Sequence, residues 1–326
     1  MAMPNFTYLK AKSLKEAIAQ LSSKGAKIQA GGTDLLGCLR DDVFSAEKLV
    51  SIGQLKALRG IGQTRDGGLR IGALTTITEI ENNKTVRERY SALAQAASEV
   101  GSPQLRNQGT VGGNICQKPR CWYYRGEFHC LRKGGDMCYA FQGENQFHCI
   151  FGGHLCYIVH PSDTAPALVA FEAMVRVSGP GGTRLAPIAR FHVPPGDNVQ
   201  KETILNPDEI VTEILLPPPA KGLRSSYRKV RARRSWDFAL ASVALAFQFD
   251  GEKIAKARVV LGGAAPVPWR SKEAEEVITG TRLDAETVNR AAAAAVKNAQ
   301  PLKHNTYKIP LFRGILEEEL TAMARA

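Results

Sequence analysis

Six of the seven cysteines in this chain of 326 residues fall in one stretch: Cys116, Cys121, Cys130, Cys138, Cys149 and Cys156. Thiols gathered in this way ligate a metal or cluster, pair as disulfides, or fill apolar space. The stretch opens on Arg106-Asn107-Gln108-Gly109-Thr110-Val111-Gly112-Gly113-Asn114 and closes on His160-Pro161-Ser162-Asp163. A glycine-rich turn leaves backbone amides free to face an anion. A phosphate-cradling turn beside a cysteine cluster points to two redox centres close together.

Disulfides are the weaker expectation, because the count is odd and the cysteines are bunched in a chain whose start lacks the basic and apolar regions of an export signal. Cys38 sits beside Leu35, Leu36 and Leu39, and Cys149 lies in Phe147-His148-Cys149-Ile150-Phe151, so both read as small buried hydrophobes. Cys116 follows the glycine turn, where many small residues would serve. The ligand set favoured from the sequence is therefore Cys121, Cys130, Cys138 and Cys156, with Cys116 and Cys149 in reserve. Their spacing is neither the paired C-x2-C of small zinc sites nor the compact ferredoxin run, so it does not choose the metal. The aromatic and basic residues around them (Trp122, Tyr123, Tyr124, Arg125, Arg132, Lys133) suit a cluster carrying net negative charge. His129 and His148 are candidate zinc ligands only.

A second glycine turn precedes the first in sequence. The strand-like Lys27-Ile28-Gln29-Ala30 runs into Gly31-Gly32-Thr33-Asp34-Leu35-Leu36. Two separated Gly-Gly turns, each followed by a polar residue (Thr33, Asn114), could clamp one pyrophosphate from both sides. Neither matches the Rossmann or P-loop pattern, which disfavours those nucleotide folds.

The elements that must position these turns are legible in outline. Ser13 with Glu16 reads as a capping box, and Leu14, Ile18 and Leu21 as the buried stripe of a helix. Short β-like runs follow at Leu49–Ile52, Leu69–Gly72 and Leu74–Ile77, then one helix over Val86–Val100 with Leu93, Ala96 and Ala97 inward. Thr164–Arg176 reads as a helix passing into a strand, and Val211–Leu216 as another strand. Pro217-Pro218-Pro219 ends that unit, since proline continues neither a helix nor a central strand. Beyond it, Ala255–Leu261 reads as a strand and Lys272–Ile278, Ala285–Ala299 and Leu316–Arg325 as helices.

Composition sets the class. Apolar content of 44% and charged content of 23% are ordinary for a globular protein. No run approaches the ~18 apolar residues of a membrane span. The net charge of +12 peaks at Arg224, Arg228, Lys229, Arg231, Arg233 and Arg234, but no stacking aromatics or groove-entering motif accompany it. A solvated face, an acidic partner or a dinucleotide phosphate is expected there, with no nucleic acid.

These motifs resemble a known family. Ala30-Gly31-Gly32-Thr33-Asp34-Leu35, then Gln104-Leu105-Arg106-Asn107-Gln108-Gly109-Thr110-Val111-Gly112-Gly113-Asn114, is similar to the FAD-binding medium subunit of the molybdenum hydroxylases, the xanthine dehydrogenase and carbon monoxide dehydrogenase superfamily. Leu261-Gly262-Gly263-Ala264-Ala265-Pro266 with Trp269-Arg270 resembles that family's C-terminal domain. Arg120-Cys121-Trp122-Tyr123-Tyr124-Arg125, Gly143-Glu144-Asn145 and Cys156 ahead of His160-Pro161-Ser162-Asp163 resemble the subgroup with an extra [4Fe–4S] cluster, as in periplasmic aldehyde oxidoreductase and, more distantly, 4-hydroxybenzoyl-CoA reductase.

The resemblance implies an α+β chain. A two-subdomain FAD-binding fold of the vanillyl-alcohol-oxidase (PCMH) type would span 1–219, with subdomains of about 1–55 and 56–219 and a cysteine-bearing insert of about 116–158. A smaller α+β domain would span 220–326. FAD would be held by Ala30, Gly31, Gly32, Thr33, Asp34 and Leu35 and by Asn107, Thr110, Gly112, Gly113 and Asn114. Asp163 would lie near the ribityl or adenosine hydroxyls and Lys229 near the isoalloxazine, with Arg231, Ser235, Trp236 and Asp237 as secondary candidates. Cys121, Cys130, Cys138 and Cys156 would ligate the cluster, and Cys116 and Cys149 depart from the family pattern. No residue here would be catalytic in the chemical step. The expectation is an electron-transfer subunit, probed against a small [2Fe–2S] partner and a large molybdopterin partner in a heterotrimer or its dimer, delivering electrons to a soluble acceptor. It would be cytoplasmic, or periplasmic by export with a signal-bearing partner. The competing readings are a reductase with reversed electron flow, a self-sufficient flavin oxidase, and a zinc-stapled basic binding protein.

Overall fold

In the computed structural model, residues 3–325 are described, and they form three sheets with helices packed on them. The first sheet is small and parallel. Strands β1 (Thr7–Lys10) and β2 (Ala26–Gln29) flank β3 (Lys48–Ser51), with crossover helices α1 (Leu14–Leu21) and α2 (Leu35–Arg40). Ser13 caps α1 by accepting from the Glu16 amide, but the Glu16 carboxylate reaches back to the Lys12 amide, so the expected capping box is displaced by one residue.

The second sheet is antiparallel, in the order β4 (Ile61–Gln63), β5 (Leu69–Gly72), β8 (Ile210–Leu216), β6 (Met174–Gly179), β7 (Gly182–Pro187). Between β5 and β6 the chain forms α3 (Ile77–Asn82), α4 (Lys84–Arg89), α5 (Ser91–Ser98), α6 (Pro103–Gln108), α7 (Val111–Ile115), α8 (Trp122–Arg125) and α9 (Thr164–Ala170). Two expectations fail here. Leu74–Ile77 is not a strand: Thr76 and Glu79 form a reciprocal capping box that starts α3. The single helix over Val86–Val100 is two, broken at Tyr90, whose hydroxyl donates to the Pro217 carbonyl at 2.7 Å. Leu93, Ala96 and Ala97 are buried as expected.

The third sheet runs β12 (Trp269–Arg270), β11 (Lys253–Gly262), β10 (Ala241–Asp250), β9 (Leu223–Val230), and is backed by α10 (Lys272–Ile278), α11 (Ala285–Val296) and α12 (Lys308–Arg325). Helix α12 begins eight residues before the expected Leu316, with Pro310 in its first turn where a missing N–H costs nothing. Tyr227, Ala244, Ala246 and Val260 of this sheet join the core of the second sheet, so the two units share apolar packing. The mixed α+β architecture agrees with the sequence reading.

The cysteine insert carries little regular structure, and its neighbours hold it. Ile150 and Phe151 enter the core of the third unit, with Phe151 stacked on Trp269 at 5.0 Å between centroids. Asn305 donates to the His148 and Cys149 carbonyls at 3.0 Å each, and Lys308 donates to the Phe147 carbonyl at 3.2 Å. On the other side, Tyr124 and Cys130 pack with Cys38 and Val43 of the first unit.

Candidate cofactor sites

The two glycine turns meet. A Cβ on Gly31 would overlap the carbonyl oxygen of Gln108, so only glycine lets the first turn approach the second this closely. Gly32 has φ +76°, the left-handed region that glycine enters freely. The Gln108 side-chain amide donates to the Gly31 carbonyl at 3.2 Å, fastening the pair. In the second turn, Thr110 caps α7 by accepting from the Gly113 amide at 3.2 Å, and Gly112 lies against Ala73, where a Cβ would be 2.9 Å from the alanine methyl.

A cavity opens on each side of this junction. The first, of about 580 Å³, is lined by Ala30 to Leu35, Thr110, Gly112 and Gly113, together with Lys118 and Arg132. The second, of about 590 Å³, shares Gly31 to Asp34, Thr110 and Gly113 and extends past Asn114 to Asp163 and the Trp236-Asp237-Phe238 loop. Each lies in the size range of small-molecule sites. A cradle of glycines with no room for Cβ, open to cavities on both flanks, fits an elongated dinucleotide with its pyrophosphate at the junction. Asn107 does not reach either cavity lining; its amide oxygen accepts from the Thr78 hydroxyl at 2.7 Å. Asn114 accepts from the Ser162 and Thr164 hydroxyls at 2.5 and 2.6 Å, which ties the second turn to the start of α9.

Lys229 does not line the cavities. Its ammonium donates to Asp163 Oδ2 at 2.7 Å and to the Glu99 carbonyl at 3.0 Å, with its side chain fully buried. Tyr227 donates to the other Asp163 oxygen at 2.9 Å. Burial pushes the Asp163 carboxyl up, against the opposing pull of Lys229 and Tyr227. Period-2 alternation along β9 explains the split of the basic run: Tyr227 and Lys229 point inward while Arg224 and Arg228 face out. Arg231 pairs with Glu99 at 2.7 Å, and Ser235 lies against Gly101. Trp236 is exposed, holds φ +53°, and its amide donates to the Gly101 carbonyl at 3.0 Å.

Three residues at the start of the insert anchor the first turn through Asp34, a pairing that the sequence reading did not make. The Asp34 carboxylate accepts from the Lys118 amide at 2.7 Å, from Arg120 at 2.9 Å and from Arg125 at 2.8 Å. The available signal was an acid just after one glycine turn and basic residues flanking Cys121, but nothing local pairs them.

All seven cysteines are free thiols. The Cys138 and Cys156 thiols neighbour each other, and Cys121 lies within electrostatic reach of both Cys130 and Cys156. The neighbouring Cys138 and the Arg132 guanidinium hold the Cys156 thiol down, while burial pushes Cys121 up to about 12. Cys149 is buried and within reach of Cys156. Cys116 lines the first cavity and feels Lys118 and Glu202, with no thiol among its influences. His148 Nε2 is 3.3 Å from the Cys121 sulfur, and Cys38 is fully buried. Among the described residues, no three His, Cys, Asp or Glu side chains are grouped tightly enough to hold a single metal ion. Thiols are the ligand type of iron–sulfur clusters as well as of zinc sites.

Comparison with known proteins agrees with this geometry. Residues 4–219 match the FAD binding domain in molybdopterin dehydrogenase, and residues 225–323 match the CO dehydrogenase flavoprotein C-terminal domain. The chain is 37% identical to the aldehyde oxidoreductase FAD-binding subunit PaoB of Escherichia coli K12, over 99% of both chains. It is 29% identical to the carbon monoxide dehydrogenase medium chain of Hydrogenophaga pseudoflava, over 92% of this chain and 89% of that one. The solved structure of carbon monoxide dehydrogenase from Hydrogenophaga pseudoflava superposes with a TM-score of 0.77 at 27% identity, covering 99% of this chain and 98% of that chain.

Proposed function

The chain belongs to the FAD-binding medium subunits of the molybdenum hydroxylases, and from that premise we propose that it is the electron-transfer subunit of a heteromeric aldehyde oxidoreductase. In this reading it carries FAD at the glycine-turn junction and a [4Fe–4S] cluster on Cys121, Cys130, Cys138 and Cys156. The single observation that carries it is the meeting of two glycine turns at Gly31, where no Cβ could enter, held by Asp34 against the start of a thiol-rich insert. The aldehyde assignment rests on full-length similarity to PaoB.

The domain plan follows the same reading: an FAD-binding region over 1–219, with subdomains of about 1–55 and 56–219 and the insert at about 116–158, then the C-terminal domain over 220–326. Bound FAD supplies a centre that exchanges electrons singly or in pairs, and the cluster a centre that exchanges them singly. The work of this chain is to hold them. Amides of Gly31 to Asp34 present donors to a pyrophosphate, while those of Gly112 and Gly113 are taken up by the Ala73 carbonyl and the Thr110 hydroxyl and shape the second turn. Thr110 and Asn114 fix the second turn, and Asp163 faces the second cavity with its charge balanced by Lys229. Substrate oxidation belongs to a large molybdopterin partner, and a small [2Fe–2S] partner delivers electrons that leave to a soluble acceptor. No helix among the described residues is long and apolar enough to cross a membrane. The compartment is that of the assembled complex, cytoplasm or periplasm.

The deciding experiment is a visible spectrum of the complex purified without exposure to air, with iron and acid-labile sulfide assayed on this separated subunit. Flavin bands over broad iron–sulfur absorption, with about four iron and four sulfide per chain, are expected. Cys121→Ser should lose the iron and keep the flavin. Flavin without iron or sulfide would leave a plain FAD subunit with a cysteine-rich loop.

A further inference from the structure

Arg132 lies between the two sites. It sits in a short 3-10 turn (Leu131–Lys133), two residues after Cys130, with its side chain only 1% exposed. One guanidinium nitrogen donates to the Glu202 carboxylate at 2.9 Å and to the Lys201 carbonyl at 3.2 Å. The guanidinium also lies near enough to the Cys156 thiol to act on its charge, and it lines the first cavity together with Gly31 to Asp34 and Gly112-Gly113. Its buried Nε has no partner. Glu202 is shared with Lys118, which lines the same cavity. One carboxylate therefore faces two cations, which leaves a local surplus of positive charge in a place where burying charge is costly. An anion in the cavity and negative charge at Cys156 would each offset that surplus.

We propose that Arg132 is a positioning residue that couples the two cofactors: it stabilises the reduced cluster through Cys156, and an anionic dinucleotide in the first cavity weakens that effect. The inference rests on the cluster reading above. One-electron reduction adds one negative charge to the cluster, the electron coming from dithionite in a titration. A fixed cation beside a ligating sulfur, shielded from water, stabilises that added charge. A pyrophosphate brings negative charge to the same guanidinium, so dinucleotide binding and cluster reduction oppose each other, and linkage makes the opposition reciprocal.

The test is a redox titration of the intact complex, read from the electron paramagnetic resonance signal of the reduced [4Fe–4S] centre. It is run with flavin bound, after flavin removal in chaotropic salt, and after FAD is restored. In the wild type, removing flavin should raise the midpoint potential and FAD should return it. Arg132→Gln should lower the midpoint by at least a tenfold change in the reduction equilibrium, about 59 mV for one electron. It should also abolish the response to flavin, and Arg132→Lys should keep most of both. A wild-type midpoint that is the same with and without flavin overturns the coupling, and this comparison decides alone should Arg132→Gln fail to assemble. Arg132→Gln with full iron and an unchanged midpoint overturns it equally. A wild type without iron or sulfide instead removes the cluster reading, and this inference with it.

Discussion

The Asp34 carboxylate accepts from the Arg125 guanidinium at 2.8 Å, joining the first glycine turn to the cysteine insert across 91 positions of sequence. The two side chains are 17% and 14% exposed, so the pair is largely withdrawn from water. Loss of the carboxylate strands the Lys118 amide, Arg120 and Arg125 together. Asp34→Ala should therefore cost about 2–3 kcal/mol, somewhat less than the loss of one partner from a fully buried pair. Flavin and iron per chain should both fall, because the same residue fixes both sites. Urea unfolding with flavin and iron assays checks this, and full retention of both cofactors would refute the shared anchor.

At Gly31 the backbone approach leaves no space, and at Gly314 it leaves plenty. Gly31→Ala forces the first turn away from Gln108, so FAD affinity should drop at least tenfold, about 1.4 kcal/mol. Gly314 lies inside α12 with nothing within 4 Å of a built Cβ. There alanine should raise stability by up to about 1 kcal/mol through helix propensity and leave flavin binding unchanged. Flavin fluorescence titration and thermal unfolding of the two variants decide it.

Local signals made part of this molecule legible. The strand Leu69–Gly72 and the helix Lys272–Ile278 have the bounds read from the sequence, because their patterning is local and nothing tertiary opposes it. Leu74–Ile77 misled because β-branched composition was weighed above the Thr76–Glu79 capping box. The break at Tyr90 was invisible, since the Pro217 carbonyl that holds its hydroxyl lies 127 residues away. The site divides in the same way. Both glycine turns announce themselves by residue type, but a flavin role for Lys229 is implied by the family resemblance alone. Strand alternation turns it inward to Asp163 instead.

That pair yields a further prediction. Lys229→Met leaves the Asp163 carboxylate buried with only Tyr227 as its donor, which should cost about 3–5 kcal/mol. Asp163→Asn in the same chain removes the stranded charge, so the double variant should recover about 1 kcal/mol or more over Lys229→Met alone. Denaturant unfolding of the four members of the cycle measures the coupling. Strict additivity would show that the two side chains do not depend on each other.

The last prediction concerns two buried histidines behind the second turn. His160 and His192 lie with ring centroids 4.1 Å apart, and His192 Nε2 donates to the Ile115 carbonyl at 2.9 Å. Burial holds His192 down at about 4 and His160 well below its usual range, and the neighbouring His192 lowers His160 further. Both are thus neutral when folded and take up protons when unfolded near their ordinary value of about 6.5. The unfolded chain binds more protons below that pH, so stability is full above about 6.5 and is lost as pH falls towards about 4. Each histidine contributes a slope of about 1.4 kcal/mol per pH unit in that window. Between pH 6.5 and 5, above the carboxylate range, the slope from this pair should grow from about one proton towards two. His192→Gln, which keeps a donor for the Ile115 carbonyl, should about halve that contribution. Urea midpoints at several pH values measure the slope, and an unchanged slope in His192→Gln would show that this imidazole takes up its proton without unfolding.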